Sequence, residues 1–195
     1  ESVSFEMFKF FEMFETIDFC DSSEWLEVIQ SKLLRFDLDG GSKDTDNTIL
    51  KERQSACFDM MSLMVEADLL PEHIPSESNF CLREITRSQR IDEMEFYYVI
   101  KNMSKHDLIK VFKKHYPEGH ENFVFARDLN GLNFDMEDGI LTGSIDLVFE
   151  REGQYYILDW KSNHLGNEAS LYGKEILKNE VRHSYYFLQY HIYTL

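Results

Sequence analysis

The residues best suited to chemistry in this 195-residue sequence are Asp146, Asp159 and Lys161. They stand in Gly143-Ser144-Ile145-Asp146 and Asp159-Trp160-Lys161, inside two stretches that are otherwise aromatic or β-branched. Two carboxylates can hold Mg²⁺, which prefers a few carboxylate oxygens together with water and substrate phosphate. An ion of that kind polarises a phosphoryl oxygen and lowers the pKa of an attacking water. An ammonium beside it orients that water or offsets charge on a pentavalent transition state. Each residue alone has a blander explanation: a strand Asp usually faces solvent, and a Lys two residues on is usually its ion-pair partner. Three polar groups converging at the ends of two apolar strands are harder to attribute to chance.

Convergence requires a hairpin. Gly139 to Phe149 (GILTGSIDLVF) and Gln154 to Trp160 (QYYILDW) read as strands, and Glu150-Arg151-Glu152-Gly153 reads as the turn that makes them antiparallel. Residues two apart on a strand share a face, so Asp159 and Lys161 project together and Trp160 faces away. Pairing then brings Asp146 across from the Asp159 region.

Upstream, Phe5, Phe8, Phe11 and Phe14 form a slowly drifting stripe that predicts a helix over residues 3–20. Asp21-Ser22-Ser23-Glu24 offers caps for a second helix to about Arg35, and Ile49 to about Ala67 reads as a third, ended by Pro71 and Pro75. The acidic, Gly-containing segment 37–48 between them reads as an exposed loop. Glu93 to Ile100 and residues 123–128 (FVFARD) are expected as strands, with a short basic helix capped by Ser104 running to His115 between them. From about Glu168 the chain is expected to be helical. Helices, a small sheet and then a helix packed on it make an α/β (α+β) domain.

Acids outnumber bases by 36 to 20, for a formal net charge of -16, so any nucleic-acid contact must be local and metal-assisted. No run approaches the length of a membrane span. Cys20, Cys57 and Cys81 are too few and too dispersed for a disulfide framework, a zinc knuckle or an iron–sulfur cluster, which points to a reducing compartment. There is no Gly-rich phosphate loop, so no ATP site is expected. The chain opens on Glu1 with no signal peptide behind it and stops inside a helix, so it is expected to be a fragment of a longer protein.

The segment GSIDLVFEREGQYYILDWKSNHLG, followed by Leu188-Gln189-Tyr190-His191-Ile192-Tyr193-Thr194-Leu195, closely resembles the C-terminal nuclease domains of the RecB family, within the PD-(D/E)XK superfamily. The match extends to Glu93-Met94-Glu95-Phe96-Tyr97 and Phe14-Glu15-Thr16-Ile17-Asp18-Phe19. The resemblance implies a restriction-endonuclease-like core, a small mixed sheet flanked by helices, over residues 71–195, truncated at its C-terminal end. Residues 1–70 would be its N-terminal helical region. It implies Mg²⁺-dependent hydrolysis of DNA phosphodiesters, of exodeoxyribonuclease V type, with Mn²⁺ able to substitute. Asp146 and Asp159 would be the metal-binding carboxylates, Lys161 the catalytic lysine, and the main-chain carbonyl of Trp160 a further metal ligand. Gln189 and Tyr193 match the family's Gln-x-x-x-Tyr motif, which supports the site or engages DNA; at i and i+4 they share a helix face. The implied setting is a bacterial cytoplasmic helicase–nuclease that processes double-strand DNA ends for recombination repair, with RecC-like and RecD-like partner subunits and no membrane. Its helicase motor and the remainder of the nuclease domain would lie outside this chain.

One position departs from the family. Aligning on Phe14-Glu15 and Asp18-Phe19 puts Phe11 where the family's first helix carries a metal-binding His, and Phe cannot ligate a metal. Glu15, one turn on and on a similar face, would be the substitute ligand; otherwise Phe11 simply extends the aromatic stripe. The alternative function is therefore a non-catalytic or metal-site-impaired module that docks or steers DNA in the same complex. His164 falls in a loop, and His183 and His191, eight apart, are expected on one helix face without a third ligand for zinc. Lys101, Lys105, Lys110, Lys113 and Lys114 either contact backbone phosphate or form a solvated face.

Overall fold

The computed structural model describes residues 10–38, 48–69, 80–132, 135–136 and 138–195. The expectations for Phe5 and Phe8, for most of the 37–48 loop, and for Pro71 and Pro75 fall outside these residues. The chain divides into two compact units, each built from two stretches: Glu1–Met94 with Asp146–Asn163, and Glu95–Ile145 with His164–Leu195.

In the first unit, Phe10 and Phe11 are helical and residues 12–16 continue as tight turns, so among the described residues the helix expected over 3–20 does not run on to 20. Met13, Phe14 and Thr16 donate main-chain hydrogen bonds three residues back, to Phe10, Phe11 and Met13. Helix α1 (Trp25–Arg35) buries Trp25, Ile29 and Leu33, four apart, so one stripe faces inward. The Trp25 indole N–H donates to the carbonyl of Asp18 at 2.7 Å, tying the start of α1 to the preceding turns. Helix α2 (Thr48–Glu66) buries Met61 and Val65 in its C-terminal half and leaves Leu63 72% exposed, while Leu50 and Cys57 pack half-buried against the same core. Around these gather Phe14, Phe19, Phe80, Leu82, Leu147 and Phe149. Two arginines brace the turn run. Arg90, buried, donates to the carbonyls of Phe14 (3.3 Å) and Ile17 (2.7 Å), lies 3.6 Å over the Phe19 ring and pairs with Asp92. Arg87 donates to the carbonyls of Glu15 and Thr16.

Strands β1 (Arg90–Ile100), β4 (Gly139–Arg151) and β5 (Gln154–Leu158) form a sheet in the order β1-β4-β5. Two-residue strands β2 (Met103–Ser104) and β3 (Asp135–Met136) pair antiparallel elsewhere. The β4–β5 hairpin turns through Glu152 (φ 55°) and Gly153 (φ 76°). Left-handed conformation at both central positions matches the twist of the flanking strands. The amide of Gly153 donates to the Glu150 carboxylate at 2.6 Å, which closes the turn.

The second unit packs helices α3 (Lys105–His115), α4 (Phe123–Asp128), α5 (Lys174–His183) and α6 (Tyr186–Tyr193) around Ile109, Phe112, Phe125, Leu129 and Phe187. The strand expected at 123–128 is helix α4. Its apparent alternation is overridden because Phe125, Ala126 and Leu129, at helical spacing, all reach the core, with Phe125 stacked on Phe187 at 4.4 Å. The single C-terminal helix is two: Tyr185 takes φ 55° between α5 and α6, and His183 and His191 therefore lie on different helices. On β4, a Cβ at Gly143 would come within 2.5 Å of the Phe96 ring, so this glycine lets the β1 aromatic lie flat against its neighbour. Among the described residues, no helix is long and apolar enough to cross a membrane.

Candidate active site

The β4–β5 register sets the site. Its last ladder pair is Leu147 with Leu158, and one step further along both strands are Asp146 and Asp159. The ladder does not continue through Trp160, as the sequence had suggested; β5 ends at Leu158. The reason is visible at Trp160, whose main-chain N–H donates to Asp146 Oδ2 at 2.6 Å. A side-chain carboxylate has taken the donor that a further ladder step would need. Asp159 in turn forms an ion pair with Lys161. Asp146, Asp159, Trp160 and Lys161 are thus brought together, all in the first unit.

The electrostatics are unbalanced. Burial pushes the Asp146 carboxyl up to about 6, against the Trp160 N–H that favours its charged form; Asp159 and Glu93 push it further up and Lys161 draws it down. Glu93 acts on Glu15 as well, whose carboxyl is raised first by burial and next by Glu93. Asp92 is also raised by burial, with Arg90 opposing. Glu93 was quoted in the family match but given no role there. Its signal in the sequence is a charged residue inside an aromatic strand, and its signal in the structure is a left-handed φ of 50° at a non-glycine strand position.

Phe11, at the position expected for His, stacks on the Trp160 indole at 5.6 Å with an interplanar angle of 10°, and Phe14 packs on the same ring at 4.6 Å. A cluster of three aromatic rings therefore supports the residue whose amide holds Asp146. Among the described residues, no group of three or more His, Cys, Asp and Glu is arranged to hold a metal ion. What is present is an all-oxygen set, Asp146, Asp159 and the adjoining Trp160 carbonyl. That chemistry suits Mg²⁺, which binds through one or two carboxylates and keeps several waters. The half-buried Asp146 carboxyl, raised by burial and by Asp159 and Glu93, is a group whose charge a nearby cation would relieve.

Gln189 and Tyr193 meet each other in the second unit, as their spacing predicts. The Gln189 amide donates to the Tyr193 hydroxyl, which donates to the Ser144 carbonyl on β4 at 2.9 Å and packs edge-on to Phe96 at 5.6 Å. His164 bonds locally, to Asn167 at 3.1 Å. His191 is taken up by the Tyr116 hydroxyl at 2.7 Å and the Phe187 carbonyl at 2.5 Å.

No family model matches the chain. Individual relatives do. The chain is 38% identical over 125 residues to the RecBCD enzyme subunit RecB of Haemophilus influenzae, covering 63% of this chain and 10% of that protein. It is 33% identical over 121 residues to the Escherichia coli RecB subunit, covering 62% and 10%. For Mycobacterium tuberculosis RecB the identity is 32% over 143 residues, covering 65% and 13%. The chain thus spans about a tenth of the length of the curated relatives it matches. Over about three fifths of its length, this chain is similar to a segment of RecB, a subunit of the RecBCD enzyme.

Proposed function

We propose that this chain is a Mg²⁺-dependent deoxyribonuclease module that hydrolyses phosphodiester bonds in DNA, working within a cytoplasmic RecBCD-like helicase–nuclease that processes double-strand ends for repair. The observation that carries this reading is the placement of Asp146 across from Asp159 beside Lys161, with the Asp146 carboxyl pushed up to about 6 by burial and by like charge. Groups kept in so unfavourable a state at the end of two strands are better explained by chemistry than by folding. The relatives' name, RecBCD enzyme subunit RecB, supports the same class, with RecC-like and RecD-like subunits as partners.

Asp146, Asp159 and the Trp160 carbonyl would hold the ion; bound there, Mg²⁺ supplies Lewis-acid polarisation of the scissile phosphoryl group. The chain's own residues do the rest. Trp160 N–H fixes the orientation of Asp146. The Lys161 ammonium, paired with Asp159, would offset negative charge developing on the phosphoryl oxygens. Gln189 and Tyr193 brace β4 through Ser144, two residues before Asp146 in the chain.

A second reading, a metal-site-impaired module that docks or steers DNA, is favoured by Phe11, which offers the Trp160 ring a hydrocarbon face where an imidazole was expected. The test is cleavage of single-stranded DNA with Mg²⁺ or Mn²⁺ by the parent, Asp159→Ala and Phe11→His. Activity in the parent, lost in Asp159→Ala and with EDTA, supports the nuclease. Silence in the parent with activity in Phe11→His supports the impaired site.

A further inference from the structure

The stretch from Lys101 to His120 holds five of the chain's 20 bases and only two of its 36 acids, so it is a basic island in an acidic protein. Helix α3 organises that island. Its inner face, Ile109 and Phe112, is buried, with Phe112 against Phe187 at 5.8 Å. Its outer face carries His106, Lys110, Lys113 and Lys114, all exposed and spaced by three, four or one residues along a single stripe. Lys105 does not belong to it, because its ammonium donates to the carbonyls of Asn130 and Leu132 at 3.2 and 2.9 Å. Lys110 is offset only loosely by Asp107, at 3.6 Å.

The helix dipole explains lysines in a last turn, so Lys113 and Lys114 alone would call for nothing more. It does not explain Lys110, His106 and the exposed Lys101 within the same stretch. We infer that this stripe is a contact surface for the phosphodiester backbone of a single DNA strand, with Lys110, Lys113 and Lys114 as its main cations. Lysines on flexible stems act as point charges and suit a backbone read without regard to base sequence. One helical turn, about 6 Å from Lys110 to Lys114, is close to the step between neighbouring phosphates of an extended strand. The choice of DNA as the polyanion rests on the nuclease reading above; the surface itself does not.

The experiment is fluorescence anisotropy of a labelled oligodeoxythymidylate with the full chain in EDTA, where no cleavage occurs, across a salt series. Lys110→Gln/Lys113→Gln/Lys114→Gln is expected to bind at least about tenfold more weakly. Its slope of log affinity against log salt should be shallower by about 2, for three lost single-strand phosphate contacts. The corresponding Lys→Arg triple variant should bind like the parent, and it decides the matter by comparison with Lys113→Gln alone if the Gln triple fails to fold by circular dichroism. Unchanged affinity and slope in the Gln triple, or no binding by the parent, overturns the inference. So does displacement of the oligonucleotide by poly-glutamate at equal charge concentration, which would mark a surface for an acidic protein. Cleavage by the parent with unchanged binding in the triple removes this surface and keeps the nuclease. Weakened binding in the triple with no cleavage by the parent keeps the surface and removes the nuclease.

Discussion

Two aspartates in this molecule accept a main-chain N–H and respond in opposite directions. At the start of α3, Asp107 closes a capping box with Ser104, whose hydroxyl and amide both donate to its carboxylate and hold its pKa below the usual range. At the end of the β4–β5 hairpin, Asp146 accepts the Trp160 N–H at a shorter distance, yet its pKa is raised to about 6. The hydrogen bond is not what differs. Asp107 is open to water and near Lys110, whereas Asp146 is half-buried and faces Asp159 and Glu93. A carboxylate that serves the fold is placed where its charge is welcome; the hairpin collects charges where they are not. Arg182 with Asp128, bonded at 2.7 and 3.2 Å, shows that the same chain can give an aspartate a bidentate counter-charge when structure is the purpose.

The largest expected effect breaks the comparison at its functional end. Asp146→Asn keeps an acceptor for the Trp160 N–H and removes the charge, so Mg²⁺-dependent DNA cleavage should fall by about 10³-fold or more, a loss of several kcal/mol of transition-state stabilisation. Initial rates on single-stranded DNA measure it, and retention of most of the activity would refute the role given to Asp146. Next in size is Arg90→Met, which deprives the Phe14 and Ile17 carbonyls of their donor and Asp92 of its counter-charge. A destabilisation of about 3 kcal/mol is expected in urea unfolding at neutral pH. Adding Asp92→Asn should restore part of it, because the stranded carboxylate then no longer resists burial.

Asp146→Asn should also raise stability in the absence of divalent ions. The folded pKa of Asp146 lies above its unfolded value of 3.8, so the native state holds its proton more tightly between these limits. Its favourable contribution is complete below about pH 4 and is lost as pH rises through about 6. The shift corresponds to about 3 kcal/mol at full strength; solvent screening at a half-buried carboxyl reduces this to about 1–2 kcal/mol. In EDTA the variant should therefore be more stable than the parent by that amount at pH 7, and equal to it below pH 4. Urea titrations across pH 3.5–7.5 in EDTA check the sign, and a less stable Asn variant at pH 7 would mean that Asp146 is a net contributor to the fold.

Sequence reasoning reached the hairpin, its turn, the α3 cap and the convergence of Asp146, Asp159 and Lys161, because each depends on neighbours within a few residues or on one strand register. It missed what long-range packing decides. FVFARD is helical because Phe125 and Ala126 are recruited by Phe187, more than sixty residues on in the chain. The C-terminal helix breaks at Tyr185, whose hydroxyl closes on Gly131, where an added Cβ would lie 2.5 Å away. Lys105 counted as a surface cation until the carbonyls of Asn130 and Leu132 claimed it. The Phe11–Trp160 stack was invisible for the same reason, and so was the reach of Glu93 to Glu15 and Asp146, although its charge inside an aromatic strand was legible. Each acquires its meaning from a partner that is remote in sequence, and no periodicity encodes that partner.

The smallest effect sharpens the structural end of the comparison. In Ser104→Ala the Asp107 amide loses the Ser104 hydroxyl as acceptor, at 3.2 Å, and the Asp107 carboxylate loses a donor. Helix α3 should weaken by about 1 kcal/mol. The pH dependence should change with it, and in the opposite sense to Asp146. A carboxyl whose folded pKa is lowered contributes stability that is present above its unfolded pKa and lost as pH falls through the folded one. The parent should therefore lose this contribution in acid, whereas Ser104→Ala should show a shallower acid limb with little change at pH 7 beyond the lost cap. Urea unfolding of both proteins between pH 2.5 and 7 measures the two limbs. If the acid limbs coincide, Asp107 does not draw its low pKa from Ser104, and the contrast with Asp146 would then rest on exposure and neighbouring charge alone.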